Sequence, residues 1–128
     1  MSFYKLLNKY KRQLISITII IAFLCFANRF LFANVVYESD DYKLHAVRIA
    51  NYYLSLKQGQ LPVRWGPNLN GSYGYPSFNY MYHTPYLAGT ILHVAGLSIQ
   101  QSLNLAVLFA ILCGSVAMYF FLQEYSKS

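Results

Sequence analysis

LISITIIIAFLCFANRFLF, Leu14 to Phe32, decides the class of fold. Amide or charge interrupts these 19 residues only at Asn28 and Arg29, near the end of the run. At about 1.5 Å per residue, a helix of that length just crosses a hydrocarbon layer about 30 Å thick. Arg29 falls in the last turn, where its stem can lie in lipid while the guanidinium reaches the interface. A cleavable signal peptide is the competing reading, with Cys25-Phe26-Ala27 as a poor cleavage site. The run is long for the apolar core of such a peptide and continues past that site, so a retained span is expected.

The rest of the composition agrees with lipid as the solvent. Of 128 residues, 56% are hydrophobic and 11% charged, and the mean hydropathy is +0.31. Soluble domains carry about 25% charged residues, which excludes an ordinary soluble globule, and an aromatic share of 18% excludes a solvated disordered chain. The net charge of +6 does not point to nucleic acid, because the positives are scattered and four of them, Lys5, Lys9, Lys11 and Arg12, flank the first apolar run. Cys25 and Cys113 both lie inside apolar runs and read as small buried hydrophobes.

Two further apolar stretches follow. Tyr80 to Leu97 is aromatic at its start, as suits a helix beginning in the headgroup belt. Leu103 to Leu122 is the cleanest span, with Ala106, Ala110 and Gly114 forming a smooth face for close helix packing. The expected fold is therefore all-α integral membrane, with three transmembrane helices. Residues 1–13 form a basic cytoplasmic N-terminus, and the spans are 14–32, 80–97 and 103–122. An extracytoplasmic loop occupies 33–79, a cytoplasmic turn 98–102, and a polar C-terminus 123–128. The density of positives before the first span places the N-terminus in the cytoplasm of a cell whose inner (plasma) membrane holds the multi-pass chain.

The outer loop carries the chemistry. Its first half, ESDDYKLHAVRIANYYLSLKQGQLP, reads as a short amphipathic helix over about 40–58. Ser39 or Asp40 can cap its start, and Gly59 followed by Pro62 stops it. Asp41, His45, Arg48 and Tyr52 recur at helical spacing on one stripe, with Leu44, Val47, Asn51 and Leu54 on another side. A carboxylate can act as base or metal ligand, and a guanidinium can grip a phosphate. Polar pairs of this spacing also occur on helices with no chemistry at all. The second half, PVRWGPNLNGSYGYPSFNYMYHTPYL, is punctuated by proline and glycine and rich in tyrosine. Irregular backbone beside a membrane must be buried in protein or line a wet cavity. Its rings can stack on sugar faces or anchor the loop among headgroups.

The order of these features resembles a known family. An N-terminal span is followed by an acidic pair, then H-x-x-R-I on a helix, then G-x-L-P-x-R-W, then G-Y-P-x-F-N-Y, then a second span. The chain is similar to the bacterial polytopic membrane proteins called 6-pyruvoyl-tetrahydropterin synthase-related, which resemble the GT-C class of integral-membrane glycosyltransferases. The resemblance is carried by Asp41, His45, Arg48 and Ile49, by Gly59, Pro62, Arg64 and Trp65, and by Gly74, Tyr75, Pro76, Phe78 and Asn79. It covers about residues 10 to 122, and no residues for pterin chemistry are present.

What the resemblance implies is the N-terminal part of a GT-C-like fold that transfers a sugar from a polyprenyl-phosphate-linked donor to an acceptor. The implied catalytic position is Asp41, with Asp40 beside it, acting as general base or as ligand to a divalent cation (Mg or Mn). Arg48 and Arg64 are the expected contacts of the donor phosphate by charge, and His45, Trp65 and Tyr75 complete the expected substrate-binding set. The family's members are longer, so this chain is expected to be a fragment that needs missing C-terminal spans or partner membrane helices to close its cavity. As 128 residues alone it is expected to be inactive. Met81-Tyr82-His83-Thr84 before Pro85 departs from the family's pattern. Membrane lipid is the other expected partner. The alternative function is a non-catalytic membrane subunit that recognises glycan or lipid through its aromatic outer loop. A zinc site of Asp41, His45 and His83 is disfavoured by the 38 positions between the histidines.

Overall fold

The computed structural model describes residues 3–33, 39 and 41–126, with only the backbone described for residues 3–7 and 9. These residues form four α-helices and no extended strand: α1 (Phe3–Ala27), α2 (Tyr42–Lys57), α3 (Thr84–Val94) and α4 (Ile99–Tyr125). Short 3₁₀ turns lie at Arg29–Phe32 and Ser77–Asn79. The chain divides into two units, one of residues 1–30 and 108–128, the other of residues 31–107.

In the first unit, the stretch Tyr10–Ala27 of α1 is long and apolar enough to cross a membrane, and none of it is buried by the chain. Ile99–Tyr125 passes the same test. Large apolar side chains such as Ile19, Phe23, Phe109 and Phe121 are exposed, an arrangement stable only where lipid or other helices cover them. Gln13 Nε2 donates to Gln123 Oε1 at 2.6 Å, and Gln123 Nε2 donates to Tyr119 Oη at 3.2 Å, so the two amides tie α1 to α4. Asn28 ends α1 by donating its side-chain amide to Leu24 O, and the Arg29 guanidinium lies over the Phe26 ring. The small-residue face expected to pack closely meets no neighbour at Gly114: a Cβ there would find nothing within 4 Å.

The second unit holds the core, built from Ile49 and Tyr52 of α2, Val63 and Phe78 of the connecting loop, Tyr86 of α3 and Leu103 of α4. Helix α2 starts two residues later than expected, and its N-cap is Asp41, whose carboxylate makes no capping bond. Asp40, an alternative cap, lies outside the described residues. The stop at Gly59 is as expected. Gly59 takes φ +84°, and Gln60 N reaches back to Ser55 O, a turn that favours a residue without a side chain.

A span over 80–97 is not confirmed. This segment forms α3, only 11 residues long. Such a helix runs about 16 Å, roughly half a hydrocarbon layer. Pro85 fits its first turn despite the unusual residues before it, and Gly96 with φ +106° closes its end. Gly89 lets α3 approach α2 so closely that a Cβ would meet Ile49 Cδ1 at 2.5 Å. Among the described residues two helices are long and apolar enough to cross a membrane.

The turn expected at 98–102 is also helix. Ser98 Oγ accepts from Gln101 N, and Gln101 Oε1 accepts from Ser98 N, a reciprocal cap that starts α4 at Ile99. Asn104, inside the expected third span, is buried within this unit. Its Oδ1 accepts from Tyr42 Oη and Gln100 Nε2, and its Nδ2 donates to Ala33 O.

Candidate functional site

Helix α2 and the loop after it build the site together. The loop is pinned to α2 by two buried polar side chains. Asn51 Oδ1 accepts from Asn68 N at 2.8 Å, while its Nδ2 donates to Val47 O. Ser55 Oγ lies 2.6 Å from Trp65 O and 2.8 Å from Asn51 O, and its single hydrogen serves one of them at a time. Gly66 and Tyr75 then exchange both backbone bonds, closing residues 66–75 into a compact loop. Inside it, Asn70 and Ser72 adopt φ of +53° and +71°, left-handed conformations that side chains disfavour. Gly74 allows the Trp65 indole to lie against the backbone, where any side chain would overlap the ring.

Between this loop and α2 opens a cavity of about 400 Å³. Arg48, Asn70, Tyr75, Ser77 and Tyr80 are the polar residues among those that line it. Leu44, Leu69 and Met81 supply the apolar part. The volume lies within the range of about 300–1,000 Å³ typical of small-molecule sites. Tyr80 is 82% exposed, so its ring is open to solvent beside the cavity.

The stripe of Asp41, His45, Arg48 and Tyr52 does not face water along its length. Tyr52 is buried, His45 and Arg48 are half-buried, and only Asp41 is exposed. Tyr86, 1% exposed, is the hub: its Oη accepts from Arg48 Nη1 at 3.5 Å and lies 3.2 Å from His45 Nδ1. Burial pushes the Tyr86 phenol above its ordinary value, and the Arg48 guanidinium pulls it part of the way back. Tyr52 is raised by burial as well, and its Oη lies 3.1 Å from His83 Nδ1. His45 and His83 therefore each serve a different tyrosine.

Of the expected site residues, the cavity gathers Arg48 and Tyr75. His45 stands behind Arg48, reached through Tyr86. Arg64 is exposed outside the cavity wall, its backbone N–H directed at Gln60 Oε1. Trp65 is half-exposed beside Gly74. Asp41 lies two turns of α2 from Arg48, about 10 Å along the axis, and Asp40 falls outside the described residues. Among the described residues no three His, Cys, Asp or Glu side chains converge as a metal donor set. With Asp41 as the described carboxylate here, a magnesium ion would take its other ligands from water and a donor phosphate.

Asn70, Ser77, Tyr80 and the hub Tyr86 were not singled out from the sequence as site residues. Ser77 occupies the variable position of G-Y-P-x-F-N-Y, where a motif directs no attention. Asn70 sits in an N-G-S turn that reads only as loop. No family model, no curated protein and no solved structure matches the chain.

Proposed function

We propose that residues 33–98 form the extracytoplasmic, substrate-facing part of a GT-C-like membrane glycosyltransferase, held by α1 and α4 as spans of the inner (plasma) membrane. The reading is carried by one observation: Arg48, from a helix that begins at an exposed carboxylate, lines a cavity shared with Tyr75, Tyr80 and Asn70 and with the apolar Leu44, Leu69 and Met81. In this mechanism an acceptor hydroxyl attacks the anomeric carbon of a polyprenyl-phosphate-linked sugar. Asp41 takes the hydroxyl proton as general base, and the bond from the anomeric carbon to the phosphate oxygen breaks. Arg48 steadies the departing phosphate through charge-assisted hydrogen bonds, and His45 positions Arg48 through Tyr86. Arg64, outside the cavity, meets the lipid-side phosphates or headgroups.

The basic residues in the first turns of α1, ahead of its apolar run, favour a cytoplasmic N-terminus, and with two spans the polypeptide after α4 returns to the same side. Further membrane helices, on longer polypeptide or on a partner, complete the donor cavity in this reading. Native membranes bearing the protein, supplied with radiolabelled polyprenyl-phosphate sugar, test it. Asp41→Asn is expected to lower transfer by at least about 100-fold at equal protein level. Normal turnover in that variant removes Asp41 from the mechanism.

A second reading rests on the exposed rings of Tyr73, Tyr80, Tyr82 and Trp65, which would suit a non-catalytic subunit recognising glycan or lipid. Its signature is function insensitive to Asp41→Asn but lost on Trp65→Ala or Tyr75→Ala.

A further inference from the structure

Of the chain's eight asparagines, only Asn70 is followed by glycine. It stands at the tip of the compact loop, where Asn70, Gly71 and Ser72 take φ of +53°, +63° and +71° in succession. Asparagine and glycine are the residues that best tolerate such a left-handed turn. All three are exposed, and neither the Asn70 side-chain amide nor the Gly71 N–H has a partner among the described residues. Tyr73 N donates to Asn70 O at 3.2 Å across the tip. Beneath it the loop is closed by Gly74 N to Leu69 O at 2.9 Å and by the Gly66–Tyr75 pair, so the tip can open while the loop stays together. Asn68, on the same loop, is the opposite case: the residue after it is Leu69, whose N–H is held by Gly66 O.

A backbone nitrogen that has no bonded partner, on a residue with no side chain, is free to reach the carbonyl carbon of the amide before it. We propose that Asn70 is a self-modifying site, where deamidation places a carboxylate on the wall of the cavity that Arg48 lines. The Gly71 nitrogen bonds to Asn70 Cγ, the bond from Cγ to the amide nitrogen breaks, and ammonia leaves with the hydrogen given up by Gly71. Water then adds to either carbonyl of the cyclic imide and opens it, leaving aspartate or isoaspartate at position 70. Water is consumed, ammonia is released, and nothing is oxidised or reduced. The product is an anion in the same cavity as the Arg48 guanidinium, which has no carboxylate partner among the described residues. Neither step depends on the transferase reading.

The full chain in phosphatidylcholine nanodiscs, aged in heavy-oxygen water at neutral and at mildly alkaline pH and then digested for mass spectrometry, tests the site. The peptide bearing Asn70 should exchange amide for acid, carry the oxygen label, and separate into aspartate and isoaspartate forms. Conversion should be faster at the higher pH, because the attacking nitrogen must lose its proton, and Asn68 should keep its amide. Gly71→Ala should slow conversion several-fold. Alanine at φ +63° also strains the turn, so the same comparison is made on chains unfolded in urea, where only the hindrance of the added methyl remains. Asn70→Asp carries the product's charge and should raise the unfolding temperature more in the chain with Arg48 than in the Arg48→Gln background. An amide that survives in the folded chain while the unfolded chain converts, or conversion of Asn68 at the same rate, overturns the modification. Equal effects of Asn70→Asp in the two backgrounds overturn the pairing with Arg48.

Discussion

Asn51 and Ser55 show how two polar side chains can do what apolar packing alone does not. Both are buried on α2, and each reaches the loop that shapes the cavity with one hydrogen bond. Ser55→Ala leaves Trp65 O without that donor and should cost about 1–2 kcal/mol, read as earlier thermal unfolding in detergent. Trp65 is the chain's single tryptophan, so its emission should shift to the red as the loop loosens. Unchanged stability and emission would mean that the bridge to Gly66 and Tyr75 holds the loop alone. The buried phenols make a second prediction at this scale. Tyr42, Tyr52 and Tyr86 are all raised above 10.0 by burial, so the folded state holds their protons longer than the unfolded one. Their contribution to stability is fully present below about pH 10 and is lost as pH rises through the raised values. Absorbance at 295 nm should show a late-titrating set of tyrosines, and unfolding should become easier over the same pH range.

Among the elements, α2 and α3 form the closest pair, and Gly89 sets their approach. Gly89→Ala would drive a methyl into Ile49, which is 1% exposed and has little room to move. A loss of about 1–3 kcal/mol is expected. Shortening the neighbour with Ile49→Val removes the nearest atom and should recover part of that loss in the double variant, measured as a cycle. Additive losses would show that the two residues do not meet. Helix α2 was legible in the sequence because local signals bound it: acids at one end, Gly59 and Pro62 at the other. The length of the helix in the apolar run over 80–97 was not, because summed hydropathy does not show where a helix starts and stops. Gly89 and buried Thr90 are what turn α3 toward α2, and only the packing shows it. The start of α4 did carry a signal, the S-x-x-Q of Ser98 and Gln101, which apolar counting passes over. The cavity was half legible: Arg48 and Tyr75 stand out by type, whereas Asn70 and Ser77 do not.

At the scale of the whole molecule, the number of crossings decides which residues share a compartment. The 18 residues of Tyr10–Ala27 make about 27 Å of helix, close to a hydrocarbon layer. Helix α4 has 27 residues, about 40 Å, more than a layer requires. Its first turns supply Leu103 and Asn104 to the core of residues 31–107, which leaves the 18 residues from Leu108 to Tyr125 as a candidate span. Two crossings place Asn8 and Ser126 together and the exposed Tyr73 opposite them; three crossings would separate Asn8 from Ser126. Replacing Cys25 and Cys113 with alanine gives a background in which Asn8→Cys, Tyr73→Cys or Ser126→Cys can be introduced singly. In intact cells a membrane-impermeant maleimide should label only the Tyr73→Cys chain, and permeabilisation should be needed for the other two. Labelling of Ser126→Cys from outside would restore a third crossing and make α3 part of it. Labelling of Asn8→Cys from outside, with Tyr73→Cys protected, would put the cavity in the cytosol, where an externally oriented polyprenyl-linked sugar cannot reach Arg48.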